Sequence, residues 1–230
     1  RALRARCSCG CRSAGQGLRR LPSDASNAQA GGSDSQAMSV VTLVVGLGNP
    51  GRHYRRNRHN AGFMLIDQMA SEFKLRLERS HSESLVAEGT YADKRFVLAK
   101  PQTYMNETGR AVAALVRSYR VELPDLLVAF DDLDLPLGML RMRPFGGSSG
   151  HRGMVSVANH LGDQGFPRLR IGIDRPSPRI DPASYVLTDF KPHETTLFTE
   201  ALERAADCVR RFLDAGIEKA MTDCNTQPSE

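Results

Sequence analysis

Apolar residues follow two recurring patterns along the chain from Val40 onward. Short apolar runs bounded by turn residues predict buried strands, and apolar residues three and four positions apart predict helices. The predicted strands span residues 40–45, 84–91, 95–99, 126–130, 139–143 and 168–174, and the predicted helices span 60–74, 152–161, 194–213 and a stretch after Asn106. Strands therefore alternate with helices through most of the chain.

This alternation predicts one α/β domain with a mixed, mainly parallel sheet that carries helices on both faces. In such sheets, ligands bind beyond the carboxyl ends of the strands. Asn49, Asp131 and Tyr104–Asn106 are expected to emerge at that edge. No internal repeat is evident, and a chain of 230 residues is long enough for a single domain of this class.

The first part of the chain, residues 1–38, differs from the rest in composition. It is rich in Arg, Ser, Ala and Gly and lacks apolar periodicity, which predicts a disordered leader. Its composition suits a mitochondrial transit peptide or a dispensable tail, so we expect a mitochondrial or cytoplasmic protein. The folded domain is expected over residues 39–222, followed by a short tail at 223–230.

The formal net charge of +5 is concentrated in this leader. Six arginines against two aspartates give residues 1–37 a charge of +4, which leaves +1 for the rest of the chain. Net charge alone therefore does not predict RNA binding, and a polyanion site in the body requires a local basic cluster. No apolar run approaches the roughly 20 residues of a membrane helix.

The five cysteines show no spacing typical of a disulfide framework. Three of them, Cys7, Cys9 and Cys11, lie in the leader, and Cys208 and Cys224 lie far apart near the end of the chain. We therefore expect no disulfide framework and a reducing compartment. The leader cysteines have no histidine nearby to complete a metal site.

The glycine-rich loop after the first predicted strand, Gly46–Gly51, matches the known nucleotide-binding loops poorly. It lacks the third glycine of the dinucleotide-binding pattern G-x-G-x-x-G. No Gly-Lys-Ser or Gly-Lys-Thr follows it, as a phosphate-binding P-loop requires. Oxidoreductase and nucleotide hydrolase functions are therefore disfavoured.

Two ionisable residues predict acid–base chemistry. His59 lies at a predicted helix start, and Asp131 follows an apolar strand at its carboxyl end, so a histidine base oriented by a carboxylate is expected. The alternatives are a His59 ring bonded to backbone and a divalent cation held by Asp131, Asp132 and Asp134. With no serine or cysteine evidently paired to His59, water is the simplest nucleophile and an ester the easier target.

Two asparagines lie at element junctions close to these residues. Asn49 and Asn106 each offer a donor and an acceptor without charge, so they can hold a peptide backbone or a water molecule at any pH. For Asn106 the alternative is an N-cap of the following helix.

Several long motifs resemble those of the bacterial-type peptidyl-tRNA hydrolases, in the same order from about residue 41 to residue 221. They are Val-Gly-Leu-Gly-Asn-Pro-Gly at 45–51, Tyr54, Arg-His-Asn-Ala-Gly at 58–62, Lys-Pro-Gln-Thr-Tyr-Met-Asn at 100–106, Asp-Asp-Leu-Asp-Leu-Pro at 131–136 and Arg-Leu-Arg-Ile-Gly at 168–172. The resemblance implies a phosphorylase/hydrolase-like fold and hydrolysis of the ester bond between peptide and tRNA. It also implies a monomer that needs no cofactor, metal or membrane.

The resemblance also implies roles for particular residues. His59 is the general base, Asp131 orients it, and Asn49 and Asn106 hold the peptide carbonyl and the water. Substrate contacts are implied for Tyr54, Tyr104, Met105, His151 and Arg152, and a clamp on the tRNA 5′ phosphate for Arg143 and Arg170, with Arg141 and Arg168 two residues away. The alternative for these arginines is an ordinary solvated strand surface. The stretch Gly146–Gly153 is expected either to present N–H groups to phosphate or to act as a mobile lid.

One position departs from the family pattern. Where the family usually has Gly-His-Asn-Gly, this chain has Gly150-His-Arg-Gly153, so Arg152 replaces an asparagine that contacts substrate. An arginine cannot accept a hydrogen bond and brings permanent charge. The competing interpretation is therefore a non-catalytic RNA-binding member of the same fold, similar to the chloroplast intron-splicing factors.

Overall fold

The computed structural model describes residues 40–226, so the predicted leader and its three cysteines lie outside the described residues. The strands are β1 Val41–Gly46, β2 Arg79–His81, β3 Ser84–Tyr91, β4 Lys94–Pro101, β5 Leu126–Asp132, β6 Leu140–Arg143 and β7 Arg168–Gly172. The α-helices are α1 Ala61–Glu72, α2 Thr108–Tyr119, α3 Arg152–Leu161, α4 Pro182–Val186 and α5 Pro192–Cys224. Short 3-10 helices occupy Arg52–Tyr54, Arg58–Asn60, Met105–Glu107 and Leu123–Asp125.

The strands form one sheet in the order β2-β3-β4-β1-β5-β7-β6. The pairs β4–β1, β1–β5 and β5–β7 are parallel, whereas β2–β3, β3–β4 and β6–β7 are antiparallel. A parallel core with antiparallel margins confirms the predicted mixed sheet. The continuous apolar run of β1 suits its central place, because strands buried on both faces need apolar residues at successive positions.

Helices cover both faces of this sheet, as predicted. Along β1, Val44 belongs to an apolar cluster with α1 and α5, whereas Leu43 and Val45 belong to a second cluster with α2 and α3. The alternation follows from strand geometry, because successive side chains point to opposite faces. In the described part of the chain, no helix is long and apolar enough to cross a bilayer.

Two glycines bring the start of α1 close to the sheet. A Cβ atom on Gly46 would lie 2.1 Å from the carbonyl oxygen of Gly62, and a Cβ atom on Gly62 would lie 2.4 Å from the carbonyl oxygen of Ala129. Any side chain at either position would push the backbones apart. The close approach sets the turn that carries His59 next to the carboxyl end of β5.

The structure differs from the predicted elements at several places along the chain. The strand β2 and the five-residue helix α4 were not predicted, and β7 ends at Gly172 rather than at residue 174. Helix α5 starts at Pro192 and continues to Cys224, so the expected domain boundary after residue 222 falls inside it. Within α5, Gly216 is not helical, with φ 77° and ψ −179°, and the helix is divided there into two halves.

Cys208 and Cys224 form a disulfide, which the spacing of the cysteines did not predict. The two residues are 16 positions apart, which corresponds to roughly 24 Å along a straight helix. Their Cα atoms are only 5.3 Å apart because the chain folds back at Gly216, midway between them. This pair therefore gives no support to the inference of a reducing compartment.

Candidate active site

The structure brings the predicted histidine and carboxylate together. His59 lies in the 3-10 helix Arg58–Asn60, and its Nδ1 is 3.0 Å from both carboxylate oxygens of Asp131 near the end of β5. A carboxylate, rather than the backbone, therefore holds the ring. The contact joins residues 72 positions apart in sequence.

A second histidine contacts the same carboxylate. Nε2 of His151 is 3.0 Å from Oδ1 of Asp131, and the two histidine rings lie 4.8 Å apart between centroids. Burial by itself raises the pKa of Asp131, but the two imidazoles outweigh burial and hold the pKa well below its usual range. Asp131 is therefore ionised and can only accept hydrogen bonds.

The two histidines differ in the ring nitrogens they leave available. Because Asp131 only accepts, His59 donates its Nδ1–H, and its Nε2 is the ring nitrogen that Asp131 does not engage. His151 donates Nε2–H to Asp131, and its Nδ1 accepts from the backbone N–H of Met154 at 3.2 Å, which caps α3. Of this pair, only His59 has a nitrogen left for water or substrate.

Asn49 is held by a network that fixes the direction of its amide. Its Oδ1 accepts from the backbone N–H of Met105 at 2.9 Å, so its amide N–H groups remain available as donors. Asn60 pairs with the backbone of Asn49 in both directions, accepting from N at 2.8 Å and donating to O at 3.0 Å. Sequence reasoning missed Asn60, although it directly follows His59.

Asn106 lies in the 3-10 helix Met105–Glu107 with its side chain exposed. The residue at the N-cap of α2 is Glu107, and its side chain makes no capping hydrogen bond. The alternative that Asn106 caps this helix is therefore wrong. Its amide is available at the surface of the cleft that also contains His59.

A cleft of about 610 Å³ contains this arrangement. The predicted site residues that line it are Asn49, His59, Tyr104, Met105, Asn106, Asp131, His151 and Arg152. Tyr104 is 61% exposed, whereas Met105 is 5% exposed and forms part of the wall. Tyr54, Arg143 and Arg170 lie outside the lining.

One part of the cleft lining was not predicted. It is formed at the start of α4, where Asp181 accepts from the backbone N–H of Ser184 at 3.0 Å. Hydrogen bonds from Ser184 and, as a smaller contribution, the charge of Arg152 lower the pKa of Asp181. The sequence signal was an aspartate before Pro182, which is typical of a helix start.

A buried arginine next to His59 was also missed. Arg58 donates from Nη2 to Glu194 at 2.6 Å, and its guanidinium carbon lies 4.5 Å from the ring centroid of Tyr185 and 4.7 Å from that of Phe190. These contacts tie the His59 turn to the start of α5. The arginine can be buried because its charge is paired and stacked.

The arginines of β6 and β7 have different environments. Arg141 lies opposite Arg170, and Arg143 opposite Arg168, in the strand register. Arg168 is buried and donates to four backbone carbonyls, those of Gly146, Gly147, Gln164 and Phe166. Burial, followed by the charge of Arg170, lowers the pKa of Arg168 to about 10. Arg168 therefore anchors the loop that contains Gly146 and Gly147, whereas Arg143 is exposed.

The carboxylates after Asp131 are paired with arginines. Asp132 is buried and forms an ion pair with Arg170, and Asp134 forms one with Arg175. A divalent cation held by Asp131, Asp132 and Asp134 would have to displace both guanidinium groups. The structure therefore does not assemble the predicted cation alternative.

Another set of three residues has metal-ligand chemistry. His59, Asp131 and His151 offer ligand atoms within 4.8 Å of one another. A metal ion bound through the nitrogens that donate to Asp131 would need them unprotonated. It would therefore replace the hydrogen bonds to Asp131.

Known proteins are similar to this chain both in sequence and in fold. The sequence profile of the family described as peptidyl-tRNA hydrolase matches residues 43–230. The peptidyl-tRNA hydrolase of Aquifex aeolicus (strain VF5) is 43% identical over 187 residues, which are 81% of this chain and 97% of that protein. That of Desulforudis audaxviator (strain MP104C) is 48% identical over 186 residues, 81% of this chain and 94% of that protein.

A solved structure agrees with these matches. The crystal structure of peptidyl-tRNA hydrolase from Acinetobacter baumannii has a TM-score of 0.76 and 32% sequence identity, and the alignment covers 82% of this chain and 96% of that one. The chain belongs to the peptidyl-tRNA hydrolase family.

Proposed function

We propose that the chain hydrolyses the ester bond of peptidyl-tRNA with His59 as the general base, and so recycles tRNA from aborted translation. One observation carries the mechanism: Nδ1 of His59 is held by Asp131, and Nε2, the ring nitrogen that Asp131 does not engage, belongs to a residue that lines the cleft. That nitrogen takes the proton of a water molecule as the water attacks the ester carbonyl. The imidazolium that forms is stabilised by the adjacent carboxylate.

The asparagines suit the two other requirements of the reaction. Asn49 has its amide oxygen committed to Met105, so it offers only N–H donors, which stabilise the oxygen of the ester carbonyl as negative charge develops there. Asn106 offers both a donor and an acceptor to the attacking water or to the peptide backbone. Neutral amides that contact the backbone allow peptides of any sequence to bind.

The RNA part of the substrate needs positive charge outside the cleft. Arg143 is exposed on the edge strand β6 and is the first candidate for a phosphate contact. Arg170 lies on the neighbouring strand and shares its charge with Asp132, so its contribution to the clamp is reduced. Tyr104, with most of its surface exposed at the cleft, presents a ring to the substrate.

The test is release of the peptide from an N-blocked aminoacyl-tRNA in the presence of EDTA. We expect turnover by the unmodified chain, and a rate lowered by about 10² to 10⁴ in His59→Ala. His193→Ala is the matched control, because this exposed histidine lies at the start of α5, outside the cleft. Unchanged turnover in His59→Ala would overturn the mechanism. RNA binding without turnover would favour the splicing-factor-like role, and loss of turnover in EDTA would favour a metal at His59, Asp131 and His151.

A further inference from the structure

The second half of α5 is fastened to the sheet by contacts on either side of a bend. The bend is at Gly216, where a positive φ reverses the chain. The disulfide Cys208–Cys224 joins the two halves, and Nε of Arg211 donates to Asp223 at 2.7 Å. Cys224, one end of this disulfide, directly precedes Asn225 in the sequence.

Asn225 acts as a partner for the edge strand β6. Its Oδ1 accepts from the backbone N–H of Met142 at 2.7 Å, and its Nδ2 donates to the backbone carbonyl of Met142 at 3.1 Å. The amide thus satisfies both groups that this residue presents at the open side of the sheet. Met142 lies between Arg141 and Arg143, so the same contact holds the strand that carries both arginines.

The disulfide is buried but lies at a cavity. Cys208 and Cys224 are 6% and 8% exposed, and both line a cavity of about 480 Å³. Two arginines and two aspartates also line this cavity: Arg204, Arg211, Asp207 and Asp223. Thiol exchange requires access to a sulfur atom, and this cavity borders both cysteines.

We propose that Cys208 and Cys224 form a reversible thiol–disulfide site that a dithiol reductant enters through this cavity, and that its state controls how firmly α5 holds β6. One thiolate of the reductant attacks a cysteine sulfur, forms a mixed disulfide and releases the other cysteine as a thiolate. The second thiolate of the reductant then displaces the remaining cysteine. Two electrons and two protons pass to the cysteines, and the reductant becomes an internal disulfide.

Reduction loosens the segment between Gly216 and Asn225. A crosslink between residues 16 positions apart suppresses local opening by about 100-fold in the chain-entropy description, and that restraint is lost in the dithiol form. Opening then separates Asn225 from Met142 and frees β6 to move. His59 and Asp131 belong to a different cleft and keep their contact.

The first experiment reads this coupling without any substrate. The full chain is treated with a dithiol or left oxidised, and differential alkylation mapped by peptide reports the state of Cys208 and Cys224. Amide hydrogen exchange then measures how well the backbone N–H of Met142 is protected. This N–H donates to Asn225 rather than to a neighbouring strand. We expect exchange at Met142 to accelerate by up to about 100-fold on reduction, with Val44 in the central strand unchanged.

Two variants make the test independent of the reductant. Cys208→Ser should match the reduced chain and no longer respond to dithiol. Asn225→Ala keeps the disulfide but should give fast exchange at Met142 in both redox states. Free thiols with unchanged exchange at Met142 would overturn the proposal.

A second experiment measures activity in both redox states, and it rests on the proposed function. Reduction should raise the KM for peptidyl-tRNA severalfold and leave kcat unchanged, because the strand with Arg143 loosens while the His59 cleft does not. An unchanged KM with faster exchange at Met142 would overturn the coupling to RNA. A chain that hydrolyses nothing in either state would instead contradict the proposed function, while the exchange result would still stand.

Discussion

One buried carboxylate serves two histidines at the candidate site, and the two rings are not equivalent. His59 uses Nδ1 for Asp131 and keeps Nε2, whereas His151 uses one nitrogen for Asp131 and the other for the N–H of Met154. His151 therefore orients Asp131 and caps α3. The difference gives separate expectations for substitutions at the two positions.

His151→Gln should retain most activity, because glutamine also offers a donor and an acceptor, whereas His151→Ala should lose both contacts. We expect His151→Ala to lower stability by about 1 kcal/mol through the lost helix cap and to lower kcat more than His151→Gln does. Chemical unfolding and turnover of both variants provide the measurement. Equal loss of kcat in the glutamine and alanine variants would contradict a positioning role.

Asp131→Asn should lower the rate of hydrolysis and make the free energy of unfolding less sensitive to acid. Because the folded-state pKa of Asp131 lies below its usual value near 3.9, its stabilisation is complete above about pH 4 and is lost as pH falls through the folded-state value. The variant lacks this contribution, so its unfolding free energy should change less with pH below about 4. Denaturant unfolding at several pH values tests this, and identical acid profiles for both chains would refute it.

At this scale the sequence predicted the residues that follow strands and glycine turns, but not those fixed by distant contacts. His59, Asn49, Asn106 and Asp131 stand at element ends, where side chains of a parallel sheet converge. The partner of Arg58, by contrast, is Glu194, 136 positions away. No local pattern reveals such a pairing.

At the scale of elements, the strand pair β6–β7 places arginines that look alike in sequence in different environments. Arg143 is exposed, whereas Arg168 donates to the carbonyls of Gly146 and Gly147 and so holds the loop that leads to α3. Short elements and reversals were the hardest to predict. The strand β2 has three residues and α4 has five, too few to show a hydrophobic period. The presence of a glycine at position 216 does not by itself predict that the chain folds back there.

Arg143→Gln should weaken tRNA binding and flatten its salt dependence by about the slope of one phosphate contact. Arg168→Gln should instead destabilise the fold, because several carbonyls lose their buried donor. Binding titrations at several salt concentrations, together with thermal unfolding, distinguish the two. An unchanged salt slope in Arg143→Gln would remove this residue from the proposed clamp.

For the whole molecule, the alternation of strands and helices was enough to predict a mixed sheet covered on both faces. It did not predict which margins are antiparallel, because strand order depends on packing between distant segments. The connection of α5 to the His59 turn is another property of this larger scale. The ion pair of Arg58 with Glu194 carries that connection.

Glu194→Gln should lower the free energy of unfolding by about 3 kcal/mol, because it leaves the buried Arg58 charge without its partner. Activity should fall as well, since the residue next to His59 loses its anchor. Glu200→Gln is the control, because Glu200 is exposed on the same helix. Similar unfolding free energies for the two variants would show that the ion pair does not stabilise the fold.

The amide of Asn225 on Met142 has a consequence for how the molecule meets its own copies. An uncovered sheet margin recruits strands from other chains and promotes aggregation. The last described turn of the chain therefore also shields β6 from self-association. A chain shortened before Cys224 would lose that shield and tend to form oligomers by strand addition, even with the cleft around His59 intact.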